Sequence, residues 1–281
     1  MNTSPYQLIA LDMDGTLLTP DKTIAPATVR DIRLAAERGV QIVYCTGRAV
    51  PELLDYFPIV PEMRYAVCSS GACIYDRQER RCLYRSVISP AMVGEAIAAA
   101  AEFRAMLHFL TESESVVAAS DVTHMADFHM GIYQSMFQRI ARPAADLAQE
   151  ARTLGGICKI NLYFRSPEDR AHCFARMRAL PLDITLPEIT TMEMTAQHVS
   201  KASGLARLAA ALGIPMARTV GIGDSDNDRE MLRSVGLSVA MGNADGEIRA
   251  LCALVTADNA HNGVGKAIRR VLERNETGEN I

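Results

Sequence analysis

Short apolar runs alternate with helical stretches along the first third of the chain. The run from Gln7 to Leu11 predicts a buried strand, and Ala27 to Arg38 predicts a helix that ends at Gly39. Two more apolar strands are predicted, at Val40 to Cys45 and at Tyr65 to Cys68. Strands and helices that alternate in this way are joined by right-handed crossovers, so the pattern predicts a parallel sheet covered by helices.

The same alternation returns near the C-terminus. Ala202 to Leu212 predicts a helix closed by Gly213, and Thr219 to Ile222 predicts the strand that follows it. Two further strands are predicted at Leu237 to Ala240 and at Ala253 to Thr256. We expect these strands to extend the sheet formed by the N-terminal ones.

The pattern changes between these two parts of the chain. Short strands such as Lys159 to Phe164 alternate with helices such as Pro167 to Leu180, and Ala91 to Leu110 reads as a packed amphipathic helix. We therefore predict an α/β fold: a Rossmann-like parallel-sheet core made of residues 1–83 plus 196–281, with an α+β domain of residues 84–195 inserted into it.

Composition limits the classes of partner. The chain has 281 residues, of which 49% are hydrophobic and 22% charged, with a formal net charge of −4 and a pI near 5.9. This balance provides no broad cationic field for nucleic acid or anionic lipid, so neither is an expected partner.

Seven cysteines without a CxxC pair, and an N-terminus without a signal-peptide pattern, predict reduced thiols and a cytoplasmic protein. The stretch Ala91 to Leu110 is interrupted by charged residues and is not expected to span a membrane.

Polar residues follow three of the predicted strands, at the edge where open parallel sheets place their ligand sites. Asp12 and Asp14 come after the first strand in the sequence Asp-Met-Asp-Gly-Thr, where they could direct oxygen atoms toward one cation. An ordinary Asx-type turn explains the same residues equally well. Thr46 and Gly47 follow the second strand, where a hydroxyl and backbone amides could bind a phosphoryl oxygen, although a plain turn would look alike.

The last two features carry more charge. Lys201 lies at the start of a predicted helix, where the helix dipole disfavours a cation unless an anion is close; a solvated surface lysine is the alternative. The loop from Gly223 to Asp228 packs three acids into five residues directly after an apolar strand. Their mutual repulsion indicates that a cation or a lysine neutralises them.

These four features, in this order, resemble the motif set of the haloacid dehalogenase superfamily of phosphatases. Asp12 to Leu18 resembles its first motif, Thr46 its second, Lys201 its third, and Gly223 to Asp228 its fourth. The position of the inserted domain is similar to that of the Cof-type branch, which carries an α+β cap. Three further stretches are similar to that branch: Val199-Ser200-Lys201, Ala240-Met241-Gly242-Asn243-Ala244 and Asn262-Gly263-Val264.

Two positions depart from the pattern of this branch. Ser70-Gly71-Ala72 stands where Asn-Gly-Ala is common, and Lys201-Ala202 stands where Lys-Gly is usual. The first change could alter a contact near the substrate, and neither removes a charged catalytic group.

The resemblance implies a hydrolase of phosphate monoesters. Asp12 would be the nucleophile that forms an aspartyl phosphate, and Asp14 would be the general acid and base. Mg2+ would be the cofactor, bound by the Asp12 carboxylate, the Asp14 backbone carbonyl and Asp224. Asp228 would hold Lys201 in position. The phosphate-binding residues would be Thr46, Gly47, Lys201 and Asn227.

The substrate implied is a small phosphorylated metabolite, such as a sugar phosphate or the phosphate of a cofactor precursor. The cap would supply specificity, and the protein would be a monomer or a weak homodimer. Three alternatives remain open: a phosphosugar mutase of the same superfamily, a phospho-accepting regulatory or binding protein, and a scaffold whose acids bind calcium. His108, His124 and His129 have no standard metal-site spacing, and Cys68 and Cys73 are interpreted as buried apolar side chains.

Overall fold

The computed structural model describes residues 5–277, which form two compact units. The first unit comprises residues 5–47, 54–83 and 200–277, and the second comprises residues 48–53 and 84–199. The chain passes from one unit to the other after Gly47, Leu53, Leu83 and Val199. The functions assigned from the sequence to a catalytic core and a cap stay predictions.

The first unit is built on an eight-stranded sheet. Its strand order is β14-β13-β12-β1-β2-β3-β4-β5; the strands from β14 to β3 are parallel, and β4 runs antiparallel to β3. The bounds are Leu8–Leu11 (β1), Gln41–Cys45 (β2), Tyr65–Cys68 (β3), Cys73–Asp76 (β4), Arg81–Arg85 (β5), Thr219–Gly223 (β12), Leu237–Ala240 (β13) and Leu254–Val255 (β14).

Five α-helices belong to the same unit. Pro26 starts α1, where its missing amide proton costs nothing, and Gly39 follows the helix with a φ of 77°. The apolar face of α9 is buried, which includes Val264, Ile268 and Leu272. The bounds are Pro26–Glu37 (α1), Lys201–Ala211 (α6), Arg229–Ser234 (α7), Gly246–Leu251 (α8) and Gly263–Thr277 (α9).

The register of the central strands brings their carboxyl ends together. All four residues of β1 are buried, as expected for a strand that has helices on both faces of its sheet. Leu11, the last residue of β1, pairs with Ile222 of β12 and with Tyr44 of β2. The residues that follow these three strands therefore lie at one edge of the sheet.

The second unit contains a six-stranded sheet of order β10-β11-β9-β6-β7-β8, antiparallel except for the β7–β8 pair. One face is apolar and packs against helices α2, α4 and α5 through residues such as Phe109, Ile160 and Met192. The bounds are Pro90–Glu102 (α2), Met106–Leu110 (β6), Ser115–Ala118 (β7), Gln134–Ile140 (α3), Arg142–Ala144 (β8), Leu147–Thr153 (α4), Lys159–Tyr163 (β9), Pro167–Met177 (α5), Leu182–Thr185 (β10) and Thr191–Ala196 (β11).

The single helix predicted from Ala91 to Leu110 is wrong. Helix α2 ends at Glu102, Arg104 adopts a left-handed conformation with φ 50°, and Met106 begins strand β6. All five residues of β6 are buried between β7 and β9. A short apolar run that is buried on both faces has no periodicity that separates a strand from a helix, which is why the sequence pattern failed here.

Among residues 5–277, no helix combines the length and the apolar character that crossing a membrane requires.

Candidate active site

Asp12 and Asp224 follow neighbouring strands of the first sheet. The amide of Asp12 donates a hydrogen bond to the carbonyl of Ile222 at 3.0 Å, which continues the β1–β12 pairing by one residue. Asp224 comes directly after Gly223, the last residue of β12. The two acids, 212 positions apart in the sequence, are thus placed side by side by strand register.

The turn after β1 brings its backbone close to Asp224. Gly15 has a φ of +85°, and a Cβ atom added there would lie 2.3 Å from Oδ2 of Asp224. The next residue, Thr16, donates its hydroxyl to Oδ1 of the same carboxylate at 2.7 Å. Glycine is therefore favoured at position 15 for two reasons: the backbone is left-handed, and there is no room for a side chain.

Lys201 connects the acids of the two ends of the chain. Its Nζ atom lies 2.6 Å from Oδ1 of Asp12 and 2.6 Å from Oδ1 of Asp228, and it donates to Oδ1 of Asn227 at 3.1 Å. The residue is only 2% exposed. A lysine at the start of a helix needs a nearby anion, and Asp12 and Asp228 are those anions.

Helix α6, which begins at Lys201, is held in place by a capping box and by close backbone packing. Ser200 accepts from the amide of Ser203, whose side chain in turn accepts from the amide of Ser200. A Cβ atom on Gly71 would lie 2.0 Å from the carbonyl oxygen of Ser200, and one on Gly204 would lie 2.7 Å from the Cα atom of Gly71. The two glycines let the loop after β3 contact the helix directly.

Asp228 organises the acidic loop from inside. Its Oδ2 atom accepts hydrogen bonds from the amides of Asp224 at 3.0 Å and Ser225 at 3.3 Å, while its Oδ1 atom faces Lys201. Gly223 leaves room for this carboxylate, because a Cβ atom there would lie 2.5 Å from the Asp228 Cγ atom. The third acid of the loop, Asp226, is exposed and pairs with Arg229.

The burial of these acids perturbs their protonation. Burial and the neighbouring charge of Asp228 raise the pKa of Asp12 well above its ordinary value, although Lys201 opposes the shift. Burial raises the pKa of Asp224 to about 6, against the hydrogen bond from Thr16. Burial disfavours the charged form of Lys201, but Asp12 and Asp228 outweigh it and raise the pKa of that ammonium.

The donor set fits a divalent cation. One carboxylate oxygen from each of Asp12, Asp224 and Asp228 lies within 4.8 Å of the others. When all three are ionised, Lys201 balances one charge of three, so two negative charges remain in a largely buried site. Hard cations such as Mg2+ prefer oxygen ligands of this kind. Asp228 already binds Lys201 and two amides, which leaves Asp12 and Asp224 as the stronger candidates for ligands.

Asp14 lies at the same turn, but its carboxylate has a different neighbour. Its Oδ1 atom is 2.8 Å from Nζ of Lys22, and both side chains are partly exposed. Lys22 has a φ of 58°, its amide donates to the carbonyl of Thr19, and its carbonyl accepts from the Tyr56 hydroxyl. Sequence reasoning missed this ion pair, since a lysine in a polar loop carries no signal of its target.

Thr46 and Gly47 follow β2, which is the neighbour of β1. Thr46 is buried; its amide donates to the carbonyl of Val67, and its own carbonyl accepts from the amide of Ser70, whose φ is 55°. The preceding residue, Cys45, directs its thiol toward the carbonyl of Lys201 at 3.8 Å. The predicted phosphate-binding segment is therefore adjacent to the start of α6.

Two asparagines, also missed as functional residues, brace the turn after β1. The side chain of Asn243 donates to the carbonyl of Gly15 at 2.8 Å, and that of Asn259 donates to the carbonyl of Leu18 at 2.8 Å. The amide of Asn259 in turn donates to Oδ1 of Asn243. Asn243 stands in the Ala240 to Ala244 stretch noted in the sequence, which was the available signal.

Comparison with known proteins identifies the family that this arrangement belongs to. The family model described as haloacid dehalogenase-like hydrolase matches residues 9–268. The chain belongs to this family. The matched segment includes all of the site residues described above.

Individual relatives of this haloacid dehalogenase-like hydrolase are named as phosphatases. The chain is similar to an HMP-PP phosphatase of Serratia proteamaculans, with 29% identity over 88% of this chain and 87% of the relative. It is also similar to a pyridoxal phosphate phosphatase of Escherichia coli, with 26% identity over 93% of this chain and 97% of the relative. A haloacid dehalogenase-like hydrolase structure from Bacteroides thetaiotaomicron shares the fold, with a TM-score of 0.82 and 22% identity over 95% of this chain and 99% of that one.

These matches confirm the predicted family, the α/β fold and the enzyme class, a phosphatase. The individual roles of the site residues stay predictions.

Proposed function

We propose that this hydrolase is a Mg2+-dependent phosphomonoesterase that removes phosphate from a small phosphorylated metabolite through an aspartyl phosphate on Asp12. The observation that carries the proposal is the position of Lys201, whose ammonium lies 2.6 Å from both Asp12 and Asp228. A buried cation beside a buried carboxylate, with Asp224 close by, is suited to binding a phosphoryl group during in-line attack.

Asp12 would act as the nucleophile. One oxygen of its carboxylate attacks phosphorus while the bond between phosphorus and the ester oxygen breaks, which leaves an aspartyl phosphate. Lys201 and Asn227 lie within hydrogen-bond distance of each other and would bind non-bridging phosphoryl oxygens. Thr46 and Gly47 would bind a further oxygen from the end of β2. Asp228 would keep the ammonium of Lys201 in place.

Asp14 would transfer the protons. Its carboxyl group donates a proton to the departing ester oxygen, then accepts one from the water that hydrolyses the aspartyl phosphate. The partly exposed position of Asp14 suits contact with both the leaving group and water. The ion pair with Lys22 has to give way, at least in part, when Asp14 carries its proton.

The metal would be held by the carboxylates of Asp12 and Asp224 together with the backbone carbonyl of Asp14. Bound Mg2+ would neutralise charge on the phosphoryl oxygens and reduce their repulsion from the nucleophile. Thr16 would orient the Asp224 carboxylate through the hydrogen bond of 2.7 Å.

We propose cofactor-precursor phosphates and sugar phosphates as the substrate class. Two relatives, named for HMP-PP and for pyridoxal phosphate, support the cofactor-related part of this class. The sugar phosphates follow from the sequence resemblance. The contribution of the second unit to specificity, a cytoplasmic location and a monomer or weak dimer stay predictions of the sequence.

A phosphate-release screen tests the proposal. Purified protein is incubated with sugar phosphates, pyridoxal phosphate, nucleotides and p-nitrophenyl phosphate, in Mg2+ and in EDTA. We expect Mg2+-dependent multiple turnover that Asp12→Asn lowers at least about 1,000-fold. Asp226→Asn is the matched control, because Asp226 is exposed on the same acidic loop and should leave turnover nearly unchanged.

Two results of the screen would contradict the proposal. Conversion of a sugar phosphate to its positional isomer without net phosphate release would indicate a mutase. A single equivalent of phosphate transferred to Asp12 without further turnover would indicate a phospho-accepting regulator.

A further inference from the structure

Two cysteines outside the acidic site lie in contact on neighbouring strands of the first unit. The Sγ atom of Cys73, in β4, is 3.4 Å from the Sγ atom of Cys82, in β5. Cys73 is completely buried, whereas Cys82 is partly exposed on the terminal strand of the sheet. Cys82 is therefore the more exposed residue of the pair, and its sulfur atom contacts that of a buried cysteine.

The backbone around these thiols is already fixed in a hairpin. Residues 77–80 form the turn between the two strands, and Oδ1 of Asp76 accepts from the amides of Gln78 and Glu79 at 2.9 and 3.1 Å. Asp76 is in turn held by the Arg64 guanidinium at 2.6 Å. Because the turn is preorganised, the two sulfur atoms meet without a search through many loop conformations.

The separation suits bond formation by a small side-chain movement. A disulfide needs its sulfur atoms about 2.05 Å apart, so the two Sγ atoms must approach by roughly 1.4 Å. Rotation about the Cα–Cβ bonds moves a sulfur atom over such a distance. Cys82 is the more exposed residue, so its thiol is the one that we expect an oxidant to reach first.

We propose that Cys73 and Cys82 form a dithiol that a hydroperoxide converts to an intramolecular disulfide. The Cys82 thiolate attacks one peroxide oxygen and the O–O bond breaks. The products are a sulfenic acid on Cys82 and hydroxide or an alkoxide, which takes a proton from solvent to become water or an alcohol. The Cys73 thiol then attacks the Cys82 sulfur, and the S–O bond of the sulfenic acid breaks. The hydroxyl group takes up the proton of the Cys73 thiol and leaves as water. One peroxide is reduced for each disulfide formed.

The link would fix a segment next to the acidic site. Cys73 follows Gly71 by two residues, and Gly71 packs against the carbonyl of Ser200, immediately before Lys201. The disulfide would therefore join β4 to β5, with its Cys73 end two residues from the glycine that contacts Ser200. This modification is separate from the proposed phosphatase chemistry and does not depend on it.

Peptide mapping of the intact protein tests the proposal. Reduced protein is treated with hydrogen peroxide, remaining thiols are blocked with N-ethylmaleimide, and the protein is digested with trypsin without reductant. Arg77 and Arg81 lie between the two cysteines, so the disulfide joins peptides 65–77 and 82–85. We expect this joined peptide, two hydrogens lighter than the sum of its parts, in most chains and at every protein concentration.

Variants separate this link from other thiol chemistry. Cys82→Ser, at a partly exposed position, should abolish the joined peptide, whereas Cys252→Ser, also partly exposed, should leave it unchanged. Peptide 65–77 also contains Cys68, so fragmentation of the joined peptide must place the link on Cys73. The proposal is overturned if Cys82 is found as sulfinic acid or as the maleimide adduct without a cross-link, or if the link lies on Cys68.

Discussion

The Nζ atom of Lys201 lies 2.6 Å from Oδ1 of Asp228, and neither residue is more than 2% exposed. The pair joins the first residue of α6 to the loop after β12. Transferring charges out of water is costly, and Lys201 has two buried carboxylate partners, so the removal of Asp228 would leave its ammonium with Asp12 alone. The position of the ammonium beside Asp12 thus depends on Asp228.

Asp228→Asn should destabilise the protein by about 2 kcal/mol, because an amide NH2 group replaces either the oxygen that faces Lys201 or the oxygen that accepts from the amides of Asp224 and Ser225. Urea denaturation without metal measures the change. The control is Asp226→Asn, whose ion pair with Arg229 is exposed, and which should change stability by less than about 0.5 kcal/mol. Equal effects of the two substitutions would contradict the role given to Asp228.

Mg2+ should stabilise the folded protein, since it relieves the repulsion among Asp12, Asp224 and Asp228. A hundredfold excess of metal over its dissociation constant stabilises a folded state by about 2.7 kcal/mol. Thermal unfolding in Mg2+ and in EDTA measures the shift. Asp224→Asn should lower the response to Mg2+ strongly, whereas Asp226→Asn should keep it. An unchanged response in Asp224→Asn would show that the metal binds elsewhere.

Gly15→Ala should destabilise the protein by about 2 kcal/mol and lower its activity. The new Cβ atom would lie 2.3 Å from Oδ2 of Asp224 on a backbone with φ +85°, so the carboxylate must move. Gly94→Ala is the contrasting control, because Gly94 is exposed within α2 and nothing lies within 4 Å of an added Cβ atom. That substitution should stabilise the protein by about 0.8 kcal/mol. Denaturation and phosphate release measured on both variants check the prediction.

His108 should make the stability of the protein fall as the solution becomes acidic. Burial, with a smaller contribution from Lys159, lowers the pKa of this histidine to about 3. The unfolded chain takes up the proton near pH 6.5, so the contribution is complete above that pH and is lost progressively toward pH 3. Between pH 7.5 and 5 the loss amounts to about 2 kcal/mol.

Urea denaturation of His108→Gln across this pH range checks the effect. The difference in free energy of unfolding between the native protein and the variant should shift by about 2 kcal/mol against the native protein as the pH falls from 7.5 to 5. The control is His172→Gln, an exposed position on α5, which should keep the native slope. A native slope in His108→Gln would contradict the prediction.

Much of the sheet could be predicted from the sequence because most of its strands are short apolar runs close to glycine or polar residues. Tyr65–Cys68 and Leu237–Ala240 have the bounds that were predicted, and Thr219–Gly223 is one residue longer. The antiparallel strand Cys73–Asp76 was not predicted. Only four residues separate it from β3. Ser69, Ser70 and Gly71 in this turn all have positive φ, and serine does not signal such a backbone.

The central acids of the site could be predicted because strand ends in a parallel sheet share one edge. This rule was sufficient to bring Asp12 and Asp224 together, and the excess negative charge indicated a nearby lysine. The ion pair of Asp14 with Lys22, and the contact of Asn259 with Leu18, depend on loop conformations that no periodicity encodes. The prediction of a helix over Met106–Leu110 failed for a related reason, since burial between two neighbouring strands, rather than the sequence pattern, makes this segment a strand.

The contact between Gly71 and Ser200 fixes the start of α6, and with it the distance of the Lys201 ammonium from the acidic residues. Main chain meets main chain there, and Gly204 extends the same seam by one helical turn. With no side chain to act as a flexible spacer, the helix has no rotamer change by which to slide along the loop. The distance from the start of α6 to Asp12 is therefore set by contact between backbones and is insensitive to side-chain rearrangements elsewhere in the fold.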